Sequence, residues 1–495
     1  MVVPLDPEVH PTVIERIDVA PTNKRENRSL YQARVKIQPR LVHGTYRRLK
    51  WWIMAATLLV YYVTPWLRWD RGPGVPDQAV LIDFPGRRFY FFFIEIWPQE
   101  FFFVAGLLIM AGIGLFLTTS VAGRLWCGYF CPQTVWTDLF IFVERQIEGD
   151  RNARIRLDKA PMSFDKLWRR TAKHTVWLVI AMLTGGAWIF YFADAPTLAQ
   201  GFVTLEAPGI AYMTVAALTF TTYVLGGHMR EQVCTYMCPW PRIMGAMMDE
   251  ESLVVAYRPN RGEPRGSVKS IAADAKLGDC VDCNACVAAC PMGIDIRDGQ
   301  QLECITCALC IYACDEVMDK LGRPLRLIGY ASLAGEHRAA IGKGGDVRPI
   351  RPRTLAYFAA WSLAGLIMLY ALVTRPEIEV NVLHDRNPLF VKLSDGAIRN
   401  AYSVKILNKS YATRSFNIAA DGIPGAVVSV VGVSGVAGVV PVLTVDPDSL
   451  RSFRVHVTAP AKSFEGVSTD IAFSLHDING GDAVHAETIF RGAEK

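Results

Sequence analysis

Charge is scarce in this sequence: Asp, Glu, Lys and Arg together make up 20% of the 495 residues, while hydrophobic types make up 51%. That balance argues against an ordinary soluble chain and for one solvated in part by lipid. The polar first 48 residues hold no apolar core of the signal-peptide kind, so the N-terminus is expected to stay in the cytoplasm. There is no haem-attachment motif, no flavin or nucleotide fingerprint and no nucleic-acid-binding motif, and the net charge of +5 is small. A nucleic-acid partner is therefore excluded from the expectation. The last 120 or so residues lack cysteine, so that part needs no disulfide to fold.

Five stretches long enough to cross a bilayer stand out, at 49–67, 101–119, 175–192, 210–227 and 355–373. None contains Asp, Glu or Arg, and Lys50 at the edge of the first is their only charge. Trp51, Trp52, Trp66 and Trp69 bracket the first as interfacial anchors would, and 89–97 reads as an interfacial aromatic stretch. Arg and Lys crowd the segments before the first span, between the second and third, and between the fourth and fifth, while 193–208 has neither. The positive-inside rule then places those three segments in the cytoplasm and the C-terminus in the periplasm. The loop holding Arg68, Arg71, Arg87 and Arg88 is discordant, but it also carries acidic residues. All twelve cysteines fall in the predicted cytoplasmic segments, as free thiols and metal ligands require.

Beyond about residue 375 the pattern changes. β-Branched and polar residues alternate in 403–407, 414–418, 451–457 and 470–475, and Asp421-Gly422, Asp446-Pro447-Asp448 and Asn479-Gly480-Gly481 read as turns. Some seven short strands at this spacing predict an antiparallel β-sandwich.

Cys280, Cys283, Cys286 and Cys290 follow ferredoxin spacing and precede Pro291; Cys304, Cys307, Cys310 and Cys314 repeat the run. Two-residue gaps let three thiolates converge from one loop while the fourth reaches the other cluster. The expected sets are Cys280, Cys283, Cys286 with Cys314, and Cys304, Cys307, Cys310 with Cys290. Paired zinc sites or a disulfide knot are the competing readings, and a doubled four-cysteine run in a reducing compartment suits neither. Two [4Fe-4S] clusters are therefore predicted. Asp315 stands where a second proline might, without removing a ligand.

A second group is Cys127 and Cys131 before Pro132, just after the second span, and Cys234 and Cys238 before Pro239, just after the fourth. A gap of three puts both sulfurs of a pair on one helical face, and two pairs at equivalent helix ends can face each other. Soft thiolates so grouped suit Cu(I), zinc or a redox disulfide. Met229, Met237, Met244, Met247 and Met248 surround the second pair; they read as thioether ligands or, more simply, as packing. His174 and His228, near the ends of the third and fourth spans, read as interfacial or hydrogen-bonded, with a haem between them as the alternative.

The segments from Gly123 through Cys127-Gly128-Tyr129-Phe130-Cys131-Pro132 to Thr134, and from Arg230 through Cys234-Thr235-Tyr236-Met237-Cys238-Pro239, resemble those of the CcoG family of cytochrome c oxidase accessory proteins, also called FixG or RdxA. So do Trp97-Pro98-Gln99, Glu148-Gly149-Asp150, the ferredoxin run and the cysteine-free tail, over nearly the whole chain from Ile37. NapH- and NosR-type polyferredoxins share the cysteines but not the tail. The resemblance implies a bacterial inner-membrane protein whose tail is a periplasmic immunoglobulin-like domain. It also implies reduction of Cu(II) to Cu(I) during assembly of a cbb3-type oxidase, with oxidase assembly factors or a copper chaperone as partners.

The expected architecture is a multi-pass α-helical membrane protein with five spans, a 2[4Fe-4S] ferredoxin-type module and a C-terminal immunoglobulin-like all-β sandwich. Its parts run 1–48 (cytoplasmic segment), 49–230 (four-helix membrane region), 231–353 (cytoplasmic, with the module at about 270–325), 354–374 (fifth span) and 375–495 (periplasmic sandwich). Three functions compete: a cupric reductase acting at Cys127, Cys131, Cys234 and Cys238; an electron-transfer subunit to quinone or a periplasmic reductase; and a copper-binding chaperone with structural clusters. In each the electron donor is an unidentified cytoplasmic molecule.

Overall fold

The computed structural model describes residues 14, 16–22, 36–72, 75–268, 277–343, 345, 347–432, 441–460, 462–463, 467–478, 480 and 483–492. Turn positions Asn479 and Gly481, and positions 270–276 of the expected module, lie outside them. The chain forms two compact units, one of residues 1–70 and 76–368, the other of 71–75 and 369–495.

In the first unit, four helical stretches are long and apolar enough to cross a membrane: Pro98–Ala122, Phe164–Tyr191, Gly209–Met229 and Pro352–Val373. Leucines 107 and 108 on the first, Phe220 on the third and Leu363 on the fourth point outward, as lipid-solvated helices require. The remaining expected span begins as α1 (Thr45–Val63), which is a shorter apolar helix because Arg47, Arg48 and Lys50 occupy its first turns. Arg47 and Lys50 are buried there, donating to Asp138 at 3.0 and 2.6 Å. The aromatic stretch read as interfacial folds as the antiparallel strands β2 (Arg88–Phe91) and β3 (Ile94–Ile96), which join β1 (Val80–Asp83) before them in a three-stranded sheet, burying Tyr90 and Ile96 while Phe93 stays exposed. Two-residue alternation explains this outcome.

Two segments then repeat one design. Helix α2 (Phe102–Ala122) leads through α3 (Leu125–Tyr129) to α4 (Pro132–Glu148); α5 (Arg151–Lys159), α6 (Phe164–Thr184) and α7 (Ala195–Thr204) follow. Helix α8 (Gly209–Thr222) continues as π-turns over Tyr223–Met229 and Val233–Met237 into α9 (Trp240–Met247). The module packs the helix Ala285–Ala289 against the helix Leu309–Lys320, beside the antiparallel pair β4 (Val254–Tyr257) and β5 (Ile328–Ala331).

In the second unit one sheet has the order β10 (Val427–Val430), β12 (Ser449–Ala459), β8 (Ile398–Asn408), β6 (Ile378–His384), with β7 (Val391–Lys392) also on β8, and the other β11 (Val442–Val445), β9 (Arg414–Asp421), β13 (Ser468–Asp477), β14 (Val484–Arg491). The long strands β8 (Ile398–Asn408) and β12 (Ser449–Ala459) pair throughout, and β9 (Arg414–Asp421) pairs β13 (Ser468–Asp477). Each contains one of the four alternating runs seen in the sequence. Tyr402, Val404, Ile406 and Val455 from one sheet meet Phe416, Leu443, Phe473 and Phe490 from the other in a single core. Among the described residues nine strands are present rather than some seven, since β7 and β10 are too short to show alternation.

Candidate functional site: two sets of four thiols and a third beside them

Each ferredoxin loop owes its shape to left-handed residues at matched positions: Asp282 and Asn284 in the first, Thr306 and Ala308 in the second, with φ of 50°, 56°, 57° and 62°. Such a backbone is costly for non-glycine residues, and for a β-branched threonine most of all. Its return is that successive N–H groups turn toward sulfur: those of Ala285, Thr306 and Leu309 reach the thiols of Cys283, Cys304 and Cys307. No sequence signal marked these positions, because none is glycine.

The structure gathers the eight thiols around the two loops. Cys314 interacts with Cys280, Cys283 and Cys286. Cys290 interacts with Cys304 and Cys307, and Cys310 with Cys304, Cys307, Cys290 and Cys286. Cys286, Cys290, Cys304, Cys307 and Cys310 line one cavity with Val255, Met292, Ile294, Ile296, Ile305 and Ala308. Burial, reinforced by neighbouring thiols, pushes the Cys286 thiol up to about 12 and that of Cys304 to about 11. A dry pocket of soft sulfur donors fits a cubane, which takes one thiolate per iron. Among the described residues no three His, Cys, Asp or Glu side chains converge as ligands of one ion. Arg297, 4.0 Å from the Cys280 sulfur and bonded to Asp282 and Asp295, supplies a nearby positive charge.

The CxxxCP pairs follow another rule. Gly123 and Arg230, each four residues before the first cysteine, share one unusual backbone conformation, with φ, ψ of 57°, −127° and 41°, −108°. The N–H of Cys131 then donates to the Trp126 carbonyl at 2.9 Å, and that of Cys238 to the Val233 carbonyl at 2.7 Å. Each pair thus sits on one wide five-residue turn, not on a regular helical face as the gap of three suggested. Proline is the reason: it forces the cysteine before it into an extended conformation and opens the next helix.

Every pair among Cys127, Cys131, Cys234 and Cys238 lies close enough for charges to interact. Burial first, then this crowding, pushes Cys127 and Cys234 up to about 12. The Cys127 sulfur lies 3.6 Å from that of Met244. Cys127 and Cys234 also pack, with Cys290, Cys304 and Cys307, on Met292, Ile294 and Ile305. The third group is therefore a neighbour of the second ferredoxin set.

Three contacts hold it there, and spacing flagged none of them. Buried Arg124 donates to the carbonyls of Leu302, Cys304 (3.3 Å) and Pro241 (2.6 Å), tying the second ferredoxin loop to α9. Gly128 runs so close to that loop that a Cβ would lie 2.6 Å from the Ile305 carbonyl oxygen. Glu144 binds Arg230 at 2.7 Å and Arg154 at 2.9 Å, while Lys173 binds Glu148 at 2.8 Å, all five buried. The bidentate Glu144–Arg230 pair explains why an arginine tolerates glycine-like backbone at 230. His174 and His228 stack face to face, ring centroids 5.6 Å apart, with the Tyr223 hydroxyl 2.9 Å from His174 Nδ1. That is the hydrogen-bonded arrangement, and it leaves no gap for a porphyrin.

Family profiles match residues 229–333 ("4Fe-4S dicluster domain"), 102–148 ("4Fe-4S binding domain") and 368–493 ("IG-like fold at C-terminal of FixG"). Apolar helices, clustered thiols and these profiles define a membrane-bound iron–sulfur electron-transfer protein with an immunoglobulin-like C-terminal domain. Nitrogen fixation protein FixG of Rhizobium meliloti is 55% identical over 491 residues, covering 93% of this chain and 93% of its own. Proteins RdxA and RdxB of Cereibacter sphaeroides are each 53% identical, covering 94% of this chain and 99% and 98% of theirs. The chain belongs to the FixG/RdxA family.

Proposed function

We propose that this protein reduces Cu(II) to Cu(I) at Cys127, Cys131, Cys234 and Cys238 during assembly of a cbb3-type cytochrome c oxidase. The observation that carries the reading is the packing of Cys127 and Cys234 on the same three apolar residues as Cys290, Cys304 and Cys307. When bound, the clusters supply single electrons at low potential. Cu(II) takes up one electron and becomes Cu(I), and the thiolates favour the reduced, softer ion. The chain's own part is positional: Arg124 and Gly128 keep the copper ligands against the second loop, and Met292, Ile294 and Ile305 exclude water between them.

In this reading Cys280, Cys283, Cys286 and Cys314 hold one cluster and Cys304, Cys307, Cys310 and Cys290 the other. The domain limits are those expected from the sequence. The module faces the cytoplasm of a bacterial inner membrane and meets an electron donor there; the sandwich faces the periplasm, where oxidase assembly factors or a copper chaperone collect the product. The test is anaerobic: dithionite-reduced protein, freed of excess reductant, is mixed with Cu(II) and Cu(I) is followed with a chromogenic chelator. Wild type should reduce it, and a Cys127→Ser, Cys131→Ser variant that keeps its iron should not. Equal reduction by both would overturn the reading.

A further inference from the structure

Of the five methionines around the second cysteine pair, four have ordinary surroundings. Met237 is 55% exposed, Met229 and Met248 are half-buried, and the Met247 sulfur lies 3.7 Å from the Tyr357 hydroxyl. Met244 differs. It is fully buried, and its sulfur points at Cys127, 3.6 Å away, although 117 residues separate them. Two sulfurs each about 2.3 Å from one metal ion stand about 3.8 Å apart at a tetrahedral angle. The observed pair needs little movement to share an ion.

The placement is also held from outside. Arg124 grips the Pro241 carbonyl in the first turn of α9, and Gly245, next to Met244, admits the Leu302 side chain, since a Cβ there would meet its Cδ2 at 3.0 Å. A gap-filling methionine would serve as well with its terminal methyl toward Cys127. Here the sulfur faces it, within a group of four thiols.

We propose that Met244 is a thioether ligand of Cu(I), sharing the ion with Cys127, and that a further thiolate of the group moves onto the ion as it binds. This rests on the copper reading above and adds a ligand to it. A neutral thioether adds soft donor strength without a further negative charge, which suits a monovalent ion awaiting transfer.

The experiment uses full-length selenomethionine-labelled protein, loaded anaerobically with Cu(I), with copper-edge X-ray absorption and Cu(I)-chelator competition as readouts. A copper–selenium distance near 2.4 Å, absent in Met244→Leu, is expected, together with at least about a tenfold loss of Cu(I) affinity in that variant. The labelled wild type reports directly, so a poorly folding variant does not decide the matter. Copper bound by sulfur alone, with unchanged affinity in Met244→Leu, overturns this ligand and leaves the copper site standing. No copper retained, or about twelve irons per chain from a third cubane on these cysteines, overturns the ligand and the copper reading together.

Discussion

The ferredoxin loops and the CxxxCP pairs both present thiols from irregular backbone, yet they are built oppositely. Each ferredoxin loop carries its geometry within seven residues, through left-handed positions that aim N–H groups at sulfur. The CxxxCP pairs are brought together from stretches about a hundred residues apart, and their alignment depends on Arg124, Gly128 and the Glu144–Arg230 pair. The first geometry is set mainly by local backbone, the second by contacts far along the chain.

Glu144 should reveal this most strongly. Glu144→Ala leaves Arg154 and Arg230 buried without their carboxylate, a loss of about 3–5 kcal/mol. The expected result is a large drop in thermal midpoint in detergent and loss of copper, with cluster absorbance retained in whatever protein remains folded. Gly128→Ala is milder. Its methyl must push the Ile305 carbonyl away, costing about 1–3 kcal/mol and widening the gap between the pairs and the second loop. Stopped-flow measurement of cluster re-oxidation by Cu(II) should slow, while dithionite reduction of the clusters keeps its rate.

Proton release offers a third contrast. The half-buried thiols of Cys127 and Cys234, raised to about 12, are neutral near pH 7, so metal must displace their protons. Cu(I) affinity is expected to rise about tenfold per pH unit for each thiol displaced between pH 6 and 9, read by calorimetry in buffers of different ionisation enthalpy. The metal-free fold follows the sign of a raised acid: its stability from these thiols is full below pH 9 and falls as pH rises toward 12. Asp138 runs the other way. Burial would raise its carboxyl, but Lys50 and Arg47 outweigh that and hold it at about 2. Its contribution is complete above the ordinary carboxylate range and disappears as pH falls toward 2. The smallest effect belongs to the self-contained loops: Ala308→Gly relieves the left-handed strain and should stabilise by up to about 1 kcal/mol, opposite in sign to Gly128→Ala.

What could be read in the sequence was what is local. Ferredoxin spacing, apolar runs and strand alternation each express one short period, and the membrane helices and the long strands of the sandwich follow from them. The wide turns at Cys131 and Cys238 were hidden because a gap of three is helical by default, and only the following proline hinted otherwise. Arg124 looked like one more loop cation; its value comes from three carbonyls in segments far along the chain. The polar residues before α1 showed no pattern at all. They nonetheless pack on the module, with the Ile17, Thr22 and Arg40 amides bonded to the Cys283, Gly293 and Ala288 carbonyls.

That last feature bears on how the protein can be cut. A profile boundary at 229–333 suggests a portable electron carrier, to be expressed and studied by itself. But those three carbonyls, and Asp282 with its partner Arg16, meet groups outside the excised piece. On the other side, Pro39 caps Arg145 and Arg154 at 3.1 and 2.9 Å, so one strand of early chain is shared by the electron carrier and the membrane bundle. The natural unit of excision therefore keeps residues 16–22 and 36–40 and includes the bundle. Cut at the profile boundary, the module would leave behind the early chain that it shares with the helices beside it.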